Sequence, residues 1–165
     1  MISVTIMTNG ERLTKYQSSP PVRFSVIAER YGKTFNEYAN AFGIDKGSLL
    51  VPDIGGTLYY SKLTIYDLGG LCDTTIAKYR GKDQQIFFDY IFEKTKPTFI
   101  HTHGYFTAVS KFDDDPRFKN DYVAISEYTD EYVKAKYREE RVSGDFVRKD
   151  AIEGKESVLD SIKSL

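Results

Sequence analysis

Three short apolar runs, Ser48 to Pro52, Leu63 to Leu68 and Thr98 to Thr102, constrain this chain more than any other feature. Each has the length of a strand buried on both faces, which reads as a continuous apolar segment because helices cover both sides of a parallel sheet. Helical spacing fills the stretches before and between them. From Val22 to Phe42, Phe24, Ile27, Tyr31, Phe35, Tyr38 and Phe42 recur at three and four residues, and Ile86, Phe87, Tyr90 and Ile91 mark a further helix over 83–95. Strands separated by helices predict a layered α/β domain whose sheet is mostly parallel and flanked by helices.

Turn and cap residues place the boundaries. Ile2, Val4 and Ile6 alternate with polar residues, as on a strand, and Ser18 to Pro21 provides a helix start because proline is tolerated in a first turn. Gly32 is expected to weaken or break the first long helix and Gly43 to end it. Gly55-Gly56 reads as a turn and Gly69-Gly70 as the close of the second strand, with Asp73 capping the next helix and Pro97 ending the one after. The aspartates and proline of Phe112 to Asn120 predict a loop. Tyr122 to Tyr128 and Asp145 to Ile152 are strand candidates, giving antiparallel additions near the C-terminus, and Val158, Leu159, Ile162 and Leu165 mark a final amphipathic helix.

With 165 residues and 41% apolar content, the chain suits a single domain over 1–165 with one continuous core. The basic and acidic residues, 23 against 24, leave no positive excess to release counterions from a phosphate backbone, so a nucleic acid partner is not expected. Cys72 is the only cysteine, which excludes an internal disulfide and a thiolate-clustered zinc site. No run approaches the roughly 18 apolar residues of a membrane span, and no secretory leader is visible. Met1 runs directly into the strand-like Ile2 to Met7, which predicts a piece of something longer. The 13 tyrosines, with no tryptophan, suit surfaces where an apolar ring must keep a wet hydroxyl.

Two segments could carry chemistry. In residues 52–73, Asp53 and Asp67 each end a predicted strand, where an open α/β sheet places its ligand crevice, and the glycines allow a close backbone approach. Asp53, Gly55, Gly56, Tyr59, Tyr60, Asp67 and Asp73 are therefore the ligand-binding candidates. The same residues also read as plain turn formers and caps. The spacing matches neither a dinucleotide fingerprint nor a Walker loop, and no cofactor is expected. His101 and His103 lie two apart at a strand end and point to one face, so both rings could reach one metal ion if Asp67 or Asp73 supplied a third ligand. Packed or hydrogen-bonded histidines are the plainer reading, and either ring could serve as a general base beside a carboxylate. Asp113 to Asp115 lacks calcium-loop spacing, Cys72 reads as a buried or incidental thiol, and Ser61 lacks a nucleophile elbow.

The string PDIGGTLYYSKLTIYDLGGLCDTTIA, residues 52–77, resembles the C-terminal extramembrane domain of bacterial polytopic GT-C-type glycosyltransferases, arabinofuranosyltransferase-like enzymes that use polyprenyl-phosphate sugars. The residues carrying the resemblance are Asp53, Gly55, Gly56, Tyr59, Tyr60, Asp67, Gly70, Leu71, Asp73, Ile76 and Ala77, and GDFVRKDAI at 144–152 is similar to the closing strand of such domains. The resemblance implies an accessory domain on the extracytoplasmic, periplasmic face of the cytoplasmic membrane. Its partner would be the membrane-embedded remainder of the same polypeptide, which carries the catalytic carboxylates, and its ligand a glycan or polyprenyl-linked sugar. The residues themselves leave two other readings open: a small metal-dependent hydrolase using His101 and His103, and a cytoplasmic interaction module.

Overall fold

The computed structural model describes residues 10, 12–18 and 22–164 of the chain; the strand expected at Ile2 to Met7 and the helix start at Ser19 to Pro21 lie outside them. Five strands form one sheet: β1 (Ser48–Val51), β2 (Thr64–Asp67), β3 (Phe99–Thr102), β4 (Tyr122–Thr129) and β5 (Val142–Arg148), in the order β2-β1-β3-β5-β4. β1 pairs in parallel with both β2 and β3, whereas β5 runs antiparallel to both β3 and β4. The expected mixed α/β architecture is therefore the observed one.

Period-two alternation sorts the sheet residues between two apolar layers. Leu49, Val51, Phe99 and Val147 face one way, against Tyr31, Phe35, Phe42 and Leu159. Leu50, Ile100 and Phe146 face the other, against Ile76, Phe87, Ile91, Phe92 and Phe118. Each fully buried Leu or Phe among these contributes about 1.5–3 kcal/mol from its removal from water.

The first layer is led by a single helical run of three windings: α1 (Phe24–Ile27), a π-helical stretch (Ala28–Lys33) and α2 (Thr34–Ala41). Gly32 does not break this run. Its missing side chain instead leaves room for the neighbouring helix, where a Cβ would meet the Thr57 carbonyl and Tyr60 at 3.1 Å. Gly55-Gly56 is likewise no turn but the start of α3 (Ile54–Tyr60).

The helices α4 (Thr74–Tyr79) and α5 (Gln84–Asp89) follow, the latter continuing as a π-helical stretch (Tyr90–Thr95). Next come α6 (Gly104–Ser110), α7 (Pro116–Asp121), α8 (Glu131–Tyr137) and α9 (Glu156–Lys163). The stretch expected as a loop at Phe112 to Asn120 holds a 3-10 turn (Phe112–Asp114) and then α7. Asp115 explains the difference, since its carboxylate accepts the Arg117 amide and Pro116 occupies the first helical position. β5 begins three residues before the expected Asp145 and gives way to a 3-10 turn at Lys149–Ile152. No described helix is long and apolar enough to cross a membrane.

Candidate ligand-binding site

The strand order fixes where a ligand can sit. β2 lies on one side of β1 and β3 on the other, so the chain reverses its direction of travel across the sheet between β1 and β3. At such a switch point the connections leaving the two strand ends diverge to opposite sides and open a crevice. Asp53 follows β1, His103 follows β3, and the two side chains meet across the gap with Asp53 Oδ2 2.7 Å from His103 Nε2.

Beneath them is a buried polar hub. His101 and Asp145 are register partners on adjacent antiparallel strands, and His101 Nδ1 lies 2.6 Å from Asp145 Oδ1. Asp145 is fully buried, and its Oδ2 accepts hydrogen bonds from Arg30 at 3.0 Å and from the Tyr38 and Ser126 hydroxyls at 3.3 Å. Burial works against its ionisation, but His101 and the Arg30 guanidinium hold its carboxyl below the usual carboxylate range. Burial pushes His101 the opposite way, below the ordinary imidazole value, although Asp145 partly offsets this. The pair is thus a carboxylate beside a neutral ring. Tyr31 packs beside both histidines, its ring centroid 4.4 Å from a tilted His101 and 6.2 Å from a parallel His103. Burial, with the Asp53 charge adding, pushes its hydroxyl up to about 12.

Local structure explains how these groups converge. Arg30 and Tyr31 sit on the π-helical stretch, whose wider winding re-aims side chains that an unbroken α-helix would place elsewhere. Ser126 reaches Asp145 because a β-bulge intervenes: Ala124 pairs with Phe146 and Ser126 with Asp145, leaving Ile125 as the extra residue. A chain of buried hydroxyls supports the floor, from Thr102 to Thr107 at 2.9 Å, to Ser143 at 2.6 Å and on to Asp130 at 2.6 Å. Asp130 caps α8 through the Val133 amide and also accepts the Gly104 amide, which ties the starts of two helices together.

These residues border an open concavity of about 570 Å³, lined by Arg30, Tyr31, both histidines, Gly104 and Asp130, with Tyr105, Tyr128 and Tyr132 about half exposed around it. Three carboxylates, Asp53, Asp130 and Asp145, stand against the single guanidinium of Arg30. The site therefore carries excess negative charge.

Of the residues singled out by the sequence, Asp53 joins this site and so do both histidines. The others are elsewhere. Asp67 is buried and accepts the Cys72 amide at 2.6 Å, with its Oδ1 unpartnered among the described residues. Asp73 caps α4 and takes the Tyr90 hydroxyl at 2.8 Å. Neither comes near enough to complete a metal site with the histidines: among the described residues no group of three or more His, Cys, Asp or Glu could hold a metal ion. Gly56 is a packing residue, where a Cβ would sit 2.7 Å from the Ala28 amide, and Gly55 faces open space. Tyr59 and Tyr60 are exposed on α3, packed edge to face, with Phe24 against Tyr59 and Lys33 over Tyr60, and neither lines the concavity. Cys72 is exposed rather than buried. Arg30, Tyr38, Ser126, Asp130 and Asp145 carry no motif; the surplus of tyrosine and the GDF segment containing Asp145 were the available signals.

The family described as "Domain of unknown function (DUF8728)" matches residues 22–149. The chain belongs to this family. Every residue of the hub and the tyrosine rim falls inside the DUF8728 span, whereas α9 lies beyond it. No curated protein and no solved structure matches the chain.

Proposed function

We propose that this DUF8728 domain is an accessory domain of a membrane glycosyltransferase on the extracytoplasmic face of a bacterial cytoplasmic membrane, and that its concavity holds an uncharged stretch of glycan or of a lipid-linked acceptor. The observation that carries this reading is the ring of four tyrosines, Tyr31, Tyr105, Tyr128 and Tyr132, around a preformed crevice with polar groups in its floor. Aromatic faces pack on sugar CH groups while phenol hydroxyls and carboxylates exchange hydrogen bonds with sugar hydroxyls. The negative balance of the site favours the neutral saccharide over the phosphate of a lipid-linked sugar. The resemblance of residues 52–77 to GT-C-type enzymes supports the placement. So does the exposed apolar pair of Phe24 and Tyr59, packed edge to face, which suits packing against a membrane-embedded remainder.

Titration of the chain with neutral pentose and hexose oligosaccharides, followed by tyrosine ring resonances, tests the reading. Tyr132→Ala is expected to weaken binding up to about tenfold, the loss of one aromatic platform. Unmoved tyrosine signals across the whole series, together with unchanged turnover of an intact parent enzyme carrying Tyr128→Ala and Tyr132→Ala, would sink it.

A further inference from the structure

His101 contributes something to the concavity that the tyrosines do not. Its ring is buried, it lines the crevice, and its Nε2 has no hydrogen-bond partner among the described residues. The state of that nitrogen follows from the other edge of the ring. Asp145 already accepts from Arg30, Tyr38 and Ser126, so it stands as an ionised acceptor and the 2.6 Å contact requires the proton to be on His101 Nδ1. A neutral ring protonated at Nδ1 leaves a lone pair on Nε2. A buried acceptor without a donor costs about 1–3 kcal/mol, and a ligand able to supply the donor recovers that cost.

We infer that a hydroxyl of the saccharide donates to His101 Nε2, making His101 the residue that selects neutral hydroxyl donors at this site. The assignment rests on the glycan-binding reading above and narrows it to a ligand class. An anion offers no proton to Nε2 and meets excess negative charge. An ammonium is drawn by the half-exposed Asp53, but at Nε2 it would have to leave water where Asp145 is already taken by His101, Arg30, Tyr38 and Ser126, so it meets no free carboxylate there. A hydroxyl donates one hydrogen bond at far smaller desolvation cost.

The test is ¹⁵N detection of the histidine ring nitrogens in the 165-residue chain at pH 7.5. The probes are neutral pentose and hexose tetrasaccharides, the same tetrasaccharides with a terminal phosphate, and their amino-sugar counterparts. Without ligand, His101 is expected to show a protonated Nδ1 and a bare Nε2, and a neutral tetrasaccharide is expected to shift the Nε2 resonance in step with the tyrosine rings. His101→Phe keeps the ring volume and removes the acceptor together with the Nδ1 donor to Asp145, so in the folded variant, checked by its tyrosine ring resonances, binding should fall about tenfold, the worth of one hydrogen bond. A protonated Nε2 in the free protein overturns the assignment. So does sugar binding that moves the tyrosine rings but not Nε2, or tighter binding of the phosphorylated or amino probes, and these outcomes leave the glycan reading standing. Probes that move neither the tyrosines nor Nε2 overturn both.

Discussion

Asp145 is the fully buried carboxylate on which the polar hub is built. Four donors converge on it, one of them a cation and one a histidine, in a position with no access to water. Removing it leaves the buried His101 Nδ1–H without its acceptor, which costs about 1–3 kcal/mol, whereas Arg30, 42% exposed at its side chain, can turn to water. Asp145→Ala should therefore lower the unfolding free energy by about 1–3 kcal/mol, read in urea as a shifted midpoint without a change in slope. Tyr59 offers the opposite case. Its ring is exposed outside the concavity, so Tyr59→Ala should alter stability by no more than about 0.5 kcal/mol and leave saccharide affinity where it was, as checked by denaturation and the same titration.

The adjacent glycines of α3 show how one helix carries two unrelated constraints. Gly56 faces the first helical run, where a Cβ would press on the Ala28 amide and the Phe24 carbonyl at 2.7 and 2.8 Å. Backbone cannot yield as a side chain can, and Gly56→Ala should cost about 1–3 kcal/mol, as overpacking does. Gly55 meets nothing within 4 Å. Gly55→Ala should gain up to about 1 kcal/mol from the lower entropy of the unfolded chain and better helix propensity. Thermal denaturation of the two variants should thus move in opposite directions; movement in the same direction would mean that α3 does not pack against Ala28. Gly144 imposes a comparable limit on the sheet. It has φ +154° and lies against the Ser126 carbonyl, so the bulge that brings Ser126 to Asp145 requires a residue without a side chain there.

For the molecule as a whole, the buried ionisable groups set the response to acid. His101 binds its proton less readily folded than unfolded, so between its folded value and the ordinary value near about 6.5 the unfolded chain holds more protons and stability rises with pH. Stability should accordingly be complete above about pH 6.5 and fall below it, by at most about 1.4 kcal/mol per pH unit for this one group. His101→Gln should flatten that limb. Asp115, Asp130 and Asp145 add a second one. Arg117 holds Asp115 down, while Ser143 and backbone amides outweigh burial at Asp130, as His101 and Arg30 do at Asp145. Each stabilises the fold above its unfolded value near about 3.9 and stops doing so as pH falls through its depressed folded value. Denaturation midpoints measured from pH 8 to pH 3 should show both limbs.

Sequence alone determined the elements whose cause is local. The period-two and continuous apolar runs are β1, β2, β3 and β4, the three-and-four spacing is the first helical run and the stretch from Gln84 to Thr95, and Asp73 caps the helix it precedes. Besides α7, the helices Gly104–Ser110 and Glu131–Tyr137 went unread because they are single short segments, one of them capped by Asp130, whose ties to Gly104 and Ser143 are long-range. What only the tertiary structure decided is which strand ends face each other. Asp53 and Asp67 both end strands, and nothing in a linear pattern says whether the crevice opens between β1 and β2 or between β1 and β3. The sheet order puts it between β1 and β3, pairing Asp53 with His103 and leaving Asp67 to hold its own loop. Arg30 and Asp145, separated by 115 residues, meet for the same reason: a π-wound helix on one layer and an antiparallel register on the sheet bring the guanidinium onto the buried carboxylate, and neither device leaves a periodic trace in the chain.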